Sequence, residues 1–239
     1  MSTYVLVHGA WHGAWCWNKL VPELEALGHN AVTFDLPGHG DDPTPRRTVT
    51  LDSYAAAITR VLDSCDEKVF LTGHSMGGMA ITAAAEQRPE KIRTLVYIAA
   101  FLPGNGESLF AIEERNPRPS VPDSLVPAAN GKTATLPPER IVDLFYHDCS
   151  EEDIAYNLEH LTPQPLELLK TPLTVTQERF GTIPRVYIEC TDDHAISIEL
   201  QRDMIEASPC TKVISMKSSH SPFLSKPREL ARILHELTE

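Results

Sequence analysis

The apolar positions of this chain form two kinds of segment: short continuous runs, and longer stretches in which apolar residues recur every three or four positions. The short runs predict strands at Tyr4–Val7, Ala31–Phe34, Lys68–Leu71, Thr94–Ile98, Arg185–Glu189 and Lys212–Met216. Because these runs are apolar at nearly every position, we expect both faces of each strand to be buried, as in a parallel sheet covered by helices.

The stretches between these runs have the period of amphipathic helices. They predict helices at Trp17–Leu27, Leu51–Ser64, Met76–Gln87, Ile198–Ala207 and Pro227–Leu237. Strands and helices therefore alternate along the chain, and the sequence predicts an α/β fold with right-handed crossovers and a mostly parallel sheet of roughly six strands.

The alternation stops between about residues 103 and 183, where proline and charged residues are frequent. Two helix-like segments, Pro138–Phe145 and Glu151–Leu161, carry apolar side chains there, and a structureless loop of this length is uncommon in a compact domain. We interpret residues 103–183 as a small helical cap inserted after the fourth strand. Residues 1–102 and 184–239 then form the core. A disordered insert is the alternative that the apolar content disfavours.

Charge and composition narrow the classes of partner and compartment. The formal net charge is −12, which argues against nucleic acid or an anionic membrane as a partner. No apolar run reaches the roughly 18 residues of a membrane span, and we expect no signal peptide ahead of the first strand. The 5 cysteines have no metal-ligand spacing, so we expect reduced thiols, a cytoplasmic protein and no metal or other cofactor.

The strongest chemical signal is Gly73-His74-Ser75-Met76-Gly77, a G-x-S-x-G sequence between a predicted strand and a helix of small residues. This context is typical of a nucleophile elbow, a sharp turn that exposes the serine at the end of the sheet. We predict that Ser75 is a catalytic nucleophile; a serine in an ordinary strand-to-helix turn is the alternative.

A serine nucleophile needs a base, and the base needs an acid. His220 follows the last predicted strand, and Asp192 and Asp193 follow the strand before it. Because the carboxyl ends of parallel strands meet at one edge of the sheet, these groups are expected to converge there with Ser75. The spacing favours Asp193 over Asp192 as the acid. We interpret His12, like three other histidines, as a surface or packing residue.

Acyl transfer also requires N–H donors for the oxyanion of the tetrahedral intermediate. The residue after the nucleophile, Met76, is predicted to supply one backbone N–H. Gly9 allows a tight turn after the first strand, and the N–H of Ala10 is the predicted second donor; a plain turn at this place is the alternative.

Four segments also carry a family resemblance. They are His8-Gly-Ala-Trp-His-Gly-Ala-Trp-Cys-Trp17, Phe34-Asp-Leu-Pro-Gly-His-Gly40, Gly73-His-Ser-Met-Gly-Gly-Met79 and Cys190-Thr-Asp-Asp193. Together they resemble the plant methylesterases of the salicylate-binding type, the related hydroxynitrile lyases, and bacterial esterase relatives. The resemblance implies an α/β-hydrolase fold with a six-stranded parallel sheet, a small helical cap, the triad of Ser75, His220 and Asp193, and the oxyanion donors of Ala10 and Met76. Members are often dimers, which leaves a homodimer open.

The same family contains esterases and cyanohydrin-cleaving lyases. Many lyases of one branch have a threonine at the place of Gly9 and a lysine after the catalytic histidine, where this chain has Ser221. The absence of both markers favours a carboxylic-ester hydrolase that forms an acyl-enzyme at Ser75. A lyase on the same fold and a ligand receptor with a vestigial triad are the alternatives.

The expected substrate is a small hydrophobic or aromatic ester. It would bind between the edge of the sheet and the apolar residues of the cap. The candidate lining residues are Trp11, Phe145, Leu158 and Leu161, of which the last two are three positions apart on one face of a predicted helix.

Overall fold

A central parallel sheet organises the molecule. The computed structural model describes residues 1–118 and 121–238. The strands in these residues are β1 (Thr3–Val7), β2 (Asn30–Thr33), β3 (Val69–His74), β4 (Ile92–Ile98), β5 (Val126–Pro127), β6 (Thr133–Thr135), β7 (Gln164–Pro165), β8 (Arg185–Cys190) and β9 (Lys212–Met216). Six of them pair in the order β2-β1-β3-β4-β8-β9, and every pairing in this sheet is parallel.

Helices follow the strands, as the periodicity predicts. The α-helices are α1 (Leu20–Ala26), α2 (Leu51–Asp63), α3 (Gly77–Gln87), α4 (Leu109–Glu113), α5 (Pro138–Ile141), α6 (Glu151–His160), α7 (Glu167–Lys170), α8 (Ile198–Ala207), α9 (Pro222–Ser225) and α10 (Pro227–Glu236). A π-helical turn, Val142–Tyr146, continues α5. Short 3₁₀ helices lie at Ala14–Trp17, Arg46–Thr48, Pro89–Lys91, Pro122–Ser124 and Phe180–Thr182.

The six strands predicted from the sequence all form, but their burial differs from the prediction. Every residue of the inner strand β3 is buried. The edge strand β9 leaves Lys212 and Val213 exposed, and the other edge strand, β2, is only partly buried. An apolar run therefore identified each strand, whereas the number of neighbouring strands and helices decided whether both faces are covered.

The chain between β4 and β8 is more mixed than the helical cap that the sequence predicts. It holds α4 to α7, but β5, β6 and β7 also pair there as a three-stranded antiparallel sheet. Strands of two or three residues are too short to show an alternating pattern, so no sequence pattern indicated them. Leu144, Phe145 and Tyr146 of the π-helical turn are buried in the same apolar cluster as the core strands.

Candidate active site

Ser75 stands at the turn between β3 and α3 with a backbone that few residues other than glycine adopt. Its φ is 54°, in the left-handed region. The turn is closed by hydrogen bonds of 3.0 Å from the N–H groups of Gly78 and Phe101 to the Ser75 carbonyl oxygen. At Gly78 a Cβ atom would lie 2.0 Å from the carbonyl oxygen of Phe101. Only glycine there lets α3 approach the sheet closely enough to form this turn.

His220 and Asp193 form a buried pair beyond β9 and β8. The Nδ1 of His220 lies 2.7 Å from Oδ2 of Asp193, and both side chains are almost wholly inaccessible to solvent. The other oxygen of Asp193 accepts hydrogen bonds from the backbone N–H groups of Ala195, at 2.7 Å, and Ile196, at 2.9 Å. The carboxylate is thereby fixed with one oxygen directed at the imidazole.

Asp192 has a different environment from its neighbour. It is exposed, and its backbone N–H donates to the Ser218 carbonyl oxygen at 3.1 Å. The structure therefore joins Asp193, and not Asp192, to His220.

His74 connects the nucleophile turn to the loop that carries His220. Its Nε2–H donates to the His220 carbonyl oxygen over 2.8 Å, and the two imidazole rings lie 4.5 Å apart. Burial lowers the pKa of His74 well below its ordinary value, so the ring is neutral. Within the described part of the chain, Ser75 and His220 share no direct hydrogen bond. Such contacts often tighten only when substrate binds.

The two predicted oxyanion donors flank Ser75. Ala10 and Met76 line the same cavity as the serine. Across residues 1–118 and 121–238, neither backbone N–H donates to another protein group, so both are available to a ligand. They lie at the loop after β1 and at the residue that precedes α3, where the helix dipole also favours negative charge.

A narrow apolar cavity opens at Ser75. The cavity and its opening together enclose about 440 Å³. Besides Ser75, the lining comprises Ala10, Trp11, Met76, Phe101, Leu109, Phe110, Glu113, Val121, Pro122, Leu125, Phe145, Leu169, Ala195 and Ile196. Most of these residues from β4 onward belong to the segment that the sequence assigned to the cap.

The structure separates the four predicted lining residues into two pairs. Trp11 and Phe145 line the cavity, whereas Leu158 and Leu161 do not. Both leucines are half-buried and pack against the apolar core instead. A shared helical face shows that residues are covered, but not what covers them, so a lining role for these two leucines stays a prediction.

The sequence patterns did not identify two residues that are candidates for a functional role. Glu113, at the end of α4, is buried in the cavity lining and accepts a 2.9 Å hydrogen bond from Nδ2 of Asn116. His12 is buried, and both its ring nitrogens lie within hydrogen-bond distance of partners, so it is not a generic surface or packing residue. Its place in the His8–Trp17 segment, three residues after Gly9, is the signal that could have marked it.

Comparison with known proteins bears directly on this site. Residues 4–233 match the model of the Alpha/beta hydrolase family. Salicylic acid-binding protein 2 from Nicotiana tabacum is 37% identical over 256 residues, covering 98% of this chain and 96% of that protein. Methylesterase 9 from Arabidopsis thaliana is 34% identical over 253 residues, covering 100% of this chain and 99% of that one. This chain belongs to the plant methylesterase family of the α/β-hydrolases.

A solved structure supports the same family membership. The crystal structure of polyneuridine aldehyde esterase matches this methylesterase-family chain with a TM-score of 0.91 and 31% sequence identity, covering 100% of both chains. The protein is a serine carboxylic-ester hydrolase, and the fold, family and enzyme class predicted from the sequence are confirmed. The methylesterase and esterase relatives favour hydrolysis over the lyase and receptor alternatives.

Two general properties complete the description. Among the helices of residues 1–118 and 121–238, none is both long and apolar enough to cross a bilayer. In the same residues no three histidine, cysteine or acidic side chains are grouped so that they could hold a metal ion.

Proposed function

We propose that Ser75 is the nucleophile of this hydrolase, with His220 as the general base and Asp193 as the acid that orients it. The observation that carries the proposal is the buried 2.7 Å contact between His220 and Asp193. It lies next to the left-handed turn at Ser75, to which His74 links it through the His220 carbonyl. An oriented imidazole near a strained serine at the mouth of a cavity is the arrangement that acyl transfer requires.

The reaction follows from these positions. Ser75 Oγ attacks the ester carbonyl carbon while His220 takes the hydroxyl proton, and the backbone N–H groups of Ala10 and Met76 bind the oxyanion. The C–O bond to the alcohol then breaks, and His220 returns the proton to the leaving oxygen. Water, deprotonated by His220, attacks the acyl carbon; the bond from that carbon to Ser75 Oγ breaks, His220 returns the proton to Oγ, and the acid is released. Side chains, backbone N–H groups and water account for each proton and electron pair, so the proposal needs no cofactor.

We infer that the substrate is a small hydrophobic or aromatic ester. The cavity at Ser75 is narrow and its walls are mostly aliphatic and aromatic, which favours a flat or slender apolar group. We also propose that residues 103–183 act as a cap over this cavity, because Leu109, Phe110 and Leu169 line it from that segment.

The decisive experiment compares the native protein with Ser75→Ala on an activated aryl ester. The native protein is expected to release a burst of aryl alcohol equal to the enzyme concentration, since acylation precedes hydrolysis of the acyl-enzyme. Ser75→Ala is expected to lose the burst and several orders of magnitude in kcat. A variant that keeps the native melting curve and more than about a tenth of the activity would show that the nucleophile lies elsewhere.

We further propose a cytoplasmic protein that forms a homodimer. All five cysteines are free, which suits a reducing compartment. Sedimentation equilibrium tests the dimer directly: a single species of 26.5 kDa at micromolar concentration would contradict it.

A further inference from the structure

The peptide groups on both sides of Ala10 are held at their carbonyl oxygens by histidine rings. His8 Nδ1 lies 2.8 Å from the Gly9 oxygen, and His12 Nδ1 lies 2.7 Å from the Ala10 oxygen. A carbonyl oxygen can only accept, so each Nδ1 carries the hydrogen. In a trans peptide the C=O and N–H groups point in opposite directions. A fixed Gly9 carbonyl therefore aims the Ala10 N–H, and a fixed Ala10 carbonyl keeps the next peptide group from turning.

The same two rings accept hydrogen bonds at Nε2. The backbone N–H of Leu36 donates to His8 over 3.0 Å, and the hydroxyl of Tyr146 donates to His12 over 2.5 Å. Burial lowers the pKa of His8 to about 4 and that of His12 to about 3, so both rings are neutral around pH 7. A neutral imidazole has one hydrogen, and the donor at Nε2 determines that this hydrogen sits on Nδ1.

Trp11, which directly precedes His12, is held by hydrogen bonds from the inserted segment. Trp11 has φ of 63°, an unfavourable value for a bulky side chain. Its N–H donates to Gln164 Oε1 at 3.2 Å, its indole N–H donates to the Ala134 carbonyl at 2.9 Å, and its carbonyl accepts from the Thr162 N–H at 2.9 Å. All three partners lie between β4 and β8. Strained backbone of this kind persists only where its surroundings enforce it.

We propose that the inserted segment sets the geometry of the oxyanion hole, and that Tyr146, acting through His12, is a positioning residue for the Ala10 N–H. Tyr146 lies at the end of the π-helical turn, a rare structure that is frequent at functional sites. The inference rests on the proposed roles of Ser75 and Ala10. The inserted segment then contributes to the rate of the chemical step as well as to the wall of the cavity.

The expected effect on the Ala10 N–H comes from the loss of the hydrogen bond that Tyr146 donates to His12. If the Tyr146 hydroxyl is removed, Nε2 of His12 becomes a buried acceptor with no partner, which is costly. If the ring hydrogen of His12 moves from Nδ1 to Nε2 instead, a lone pair of Nδ1 faces the Ala10 carbonyl oxygen. Two acceptors then repel each other at this contact. The Ala10 carbonyl must then rotate away, which turns the Ala10–Trp11 peptide. The Ala10 N–H lies in the preceding peptide and is displaced through the Cα atom that the two peptides share.

Tyr146→Phe tests the proposal because it removes one oxygen atom and keeps the ring. We expect kcat for an aryl ester to fall about tenfold to a hundredfold, the range for a misplaced but present donor, with KM changed less than twofold. Tyr156→Phe, in an exposed tyrosine of α6, is the matched control and is expected to keep the native kcat.

A pair of inhibitors separates positioning from a merely structural role. An aryl trifluoromethyl ketone forms a bond from Ser75 Oγ to its carbonyl carbon; the carbonyl oxygen becomes an oxyanion and the serine proton passes to His220. The matching methyl ketone occupies the cavity without a stable adduct. Tyr146→Phe is expected to weaken binding of the trifluoromethyl ketone by the same factor as kcat and to leave binding of the methyl ketone unchanged.

A second pair of variants tests His12 itself. His12→Asn places an amide N–H near the position of Nδ1 and can still hold the Ala10 carbonyl, whereas His12→Leu cannot. We expect His12→Asn to retain at least tenfold more kcat than His12→Leu. If Tyr146→Phe does not fold, the comparison of the two His12 variants still tests whether His12 positions Ala10.

Three results would overturn the proposal: an unchanged kcat in Tyr146→Phe, an equal loss of affinity for both ketones, or equal kcat values for the two His12 variants. Failure of the proposed function looks different. If Ser75→Ala still bound the trifluoromethyl ketone more tightly than the methyl ketone, the nucleophile assignment would be wrong, whatever Tyr146→Phe does.

Discussion

Asp193 holds the His220 imidazole in one orientation, and is itself held in place, through two separate sets of contacts. One carboxylate oxygen is occupied by the N–H groups of Ala195 and Ile196, and the other faces Nδ1 of His220. The acid is therefore immobilised by backbone before any substrate arrives. In the proposed mechanism this buried carboxylate also stabilises the imidazolium that His220 forms during acylation.

Asp193→Asn is expected to lower kcat by about 10⁴, since an amide can hold the wrong tautomer of His220 while preserving its shape. Asp192→Asn changes the exposed neighbour and is expected to stay within a few-fold of the native value. Steady-state kinetics on one aryl ester, with melting curves for both variants, measure the difference. Equal and mild losses in the two variants would place the acid at another residue.

At the scale of elements, the contact between α3 and the segment that follows β4 determines whether the turn at Ser75 can form. A Cβ at Gly78 would lie 2.0 Å from the Phe101 carbonyl oxygen, a backbone atom that no rotamer change can move. Gly78→Ala is expected to lower the free energy of unfolding by about 3 kcal/mol, the upper end of ordinary overpacking effects. Denaturant unfolding measures this change.

Gly104→Ala is the matched control for that measurement. A Cβ at Gly104 would lie 3.2 Å from Oε2 of Glu107, the far end of a flexible side chain. We expect this variant to remain within about 1 kcal/mol of the native protein, as for most substitutions without a fixed obstacle. If both variants lost the same stability, close approach at Gly78 would not be the cause.

The inserted segment contributes side chains of two kinds, and kinetics can separate them. Phe145 lines the cavity, with its ring centroid 5.4 Å from that of His220, whereas Leu158 is absent from the lining and packs against the apolar core. Phe145→Ala is expected to change the ratio of kcat/KM between a bulky and a small ester by about tenfold or more, because selectivity rests on differential contacts in the transition state. Leu158→Ala is expected to lower Tm and leave that ratio alone. The opposite pattern would mean that α6 forms part of the pocket.

For the whole molecule, the buried neutral histidines make stability depend on pH. The pKa of His8 falls from 6.5 to about 4 and that of His12 from 6.5 to about 3, in both cases mainly because burial disfavours the charged ring. Below pH 6.5 both histidines bind protons in the unfolded chain, whereas in the folded chain they stay neutral until the pH approaches their lowered pKa values. The stabilisation is therefore complete above pH 6.5 and decreases as the pH falls from 6.5 towards 4.

Each of these two histidines is expected to reduce the free energy of unfolding by about 2 kcal/mol between pH 7 and pH 5. Denaturant unfolding at the two pH values measures the loss. His12→Asn removes one of the titrating groups, so its loss is expected to be about 2 kcal/mol smaller than in the native protein. An unchanged loss in His12→Asn would show that His12 does not titrate on unfolding.

The sequence alone determined the six strands of the central sheet, the helices after them, and the order in which Ser75, Asp193 and His220 follow three of those strands. These features are local: a run of apolar residues marks a strand wherever it lies in the sheet, and a sharp turn needs its glycines wherever it occurs. Because the carboxyl ends of parallel strands lie at one edge of the sheet, residues that follow these strands are expected to meet there.

Only the tertiary structure decided which side chains meet across distant segments. Periodicity shows that Leu158 and Leu161 are covered, but the element that covers them is fixed by how the inserted segment folds back on the core. The same folding brings Tyr146 to His12 across 134 positions of sequence. Contacts between residues this far apart depend on how all the intervening helices, strands and loops are arranged. A local pattern of hydrophobic and polar residues does not specify that arrangement.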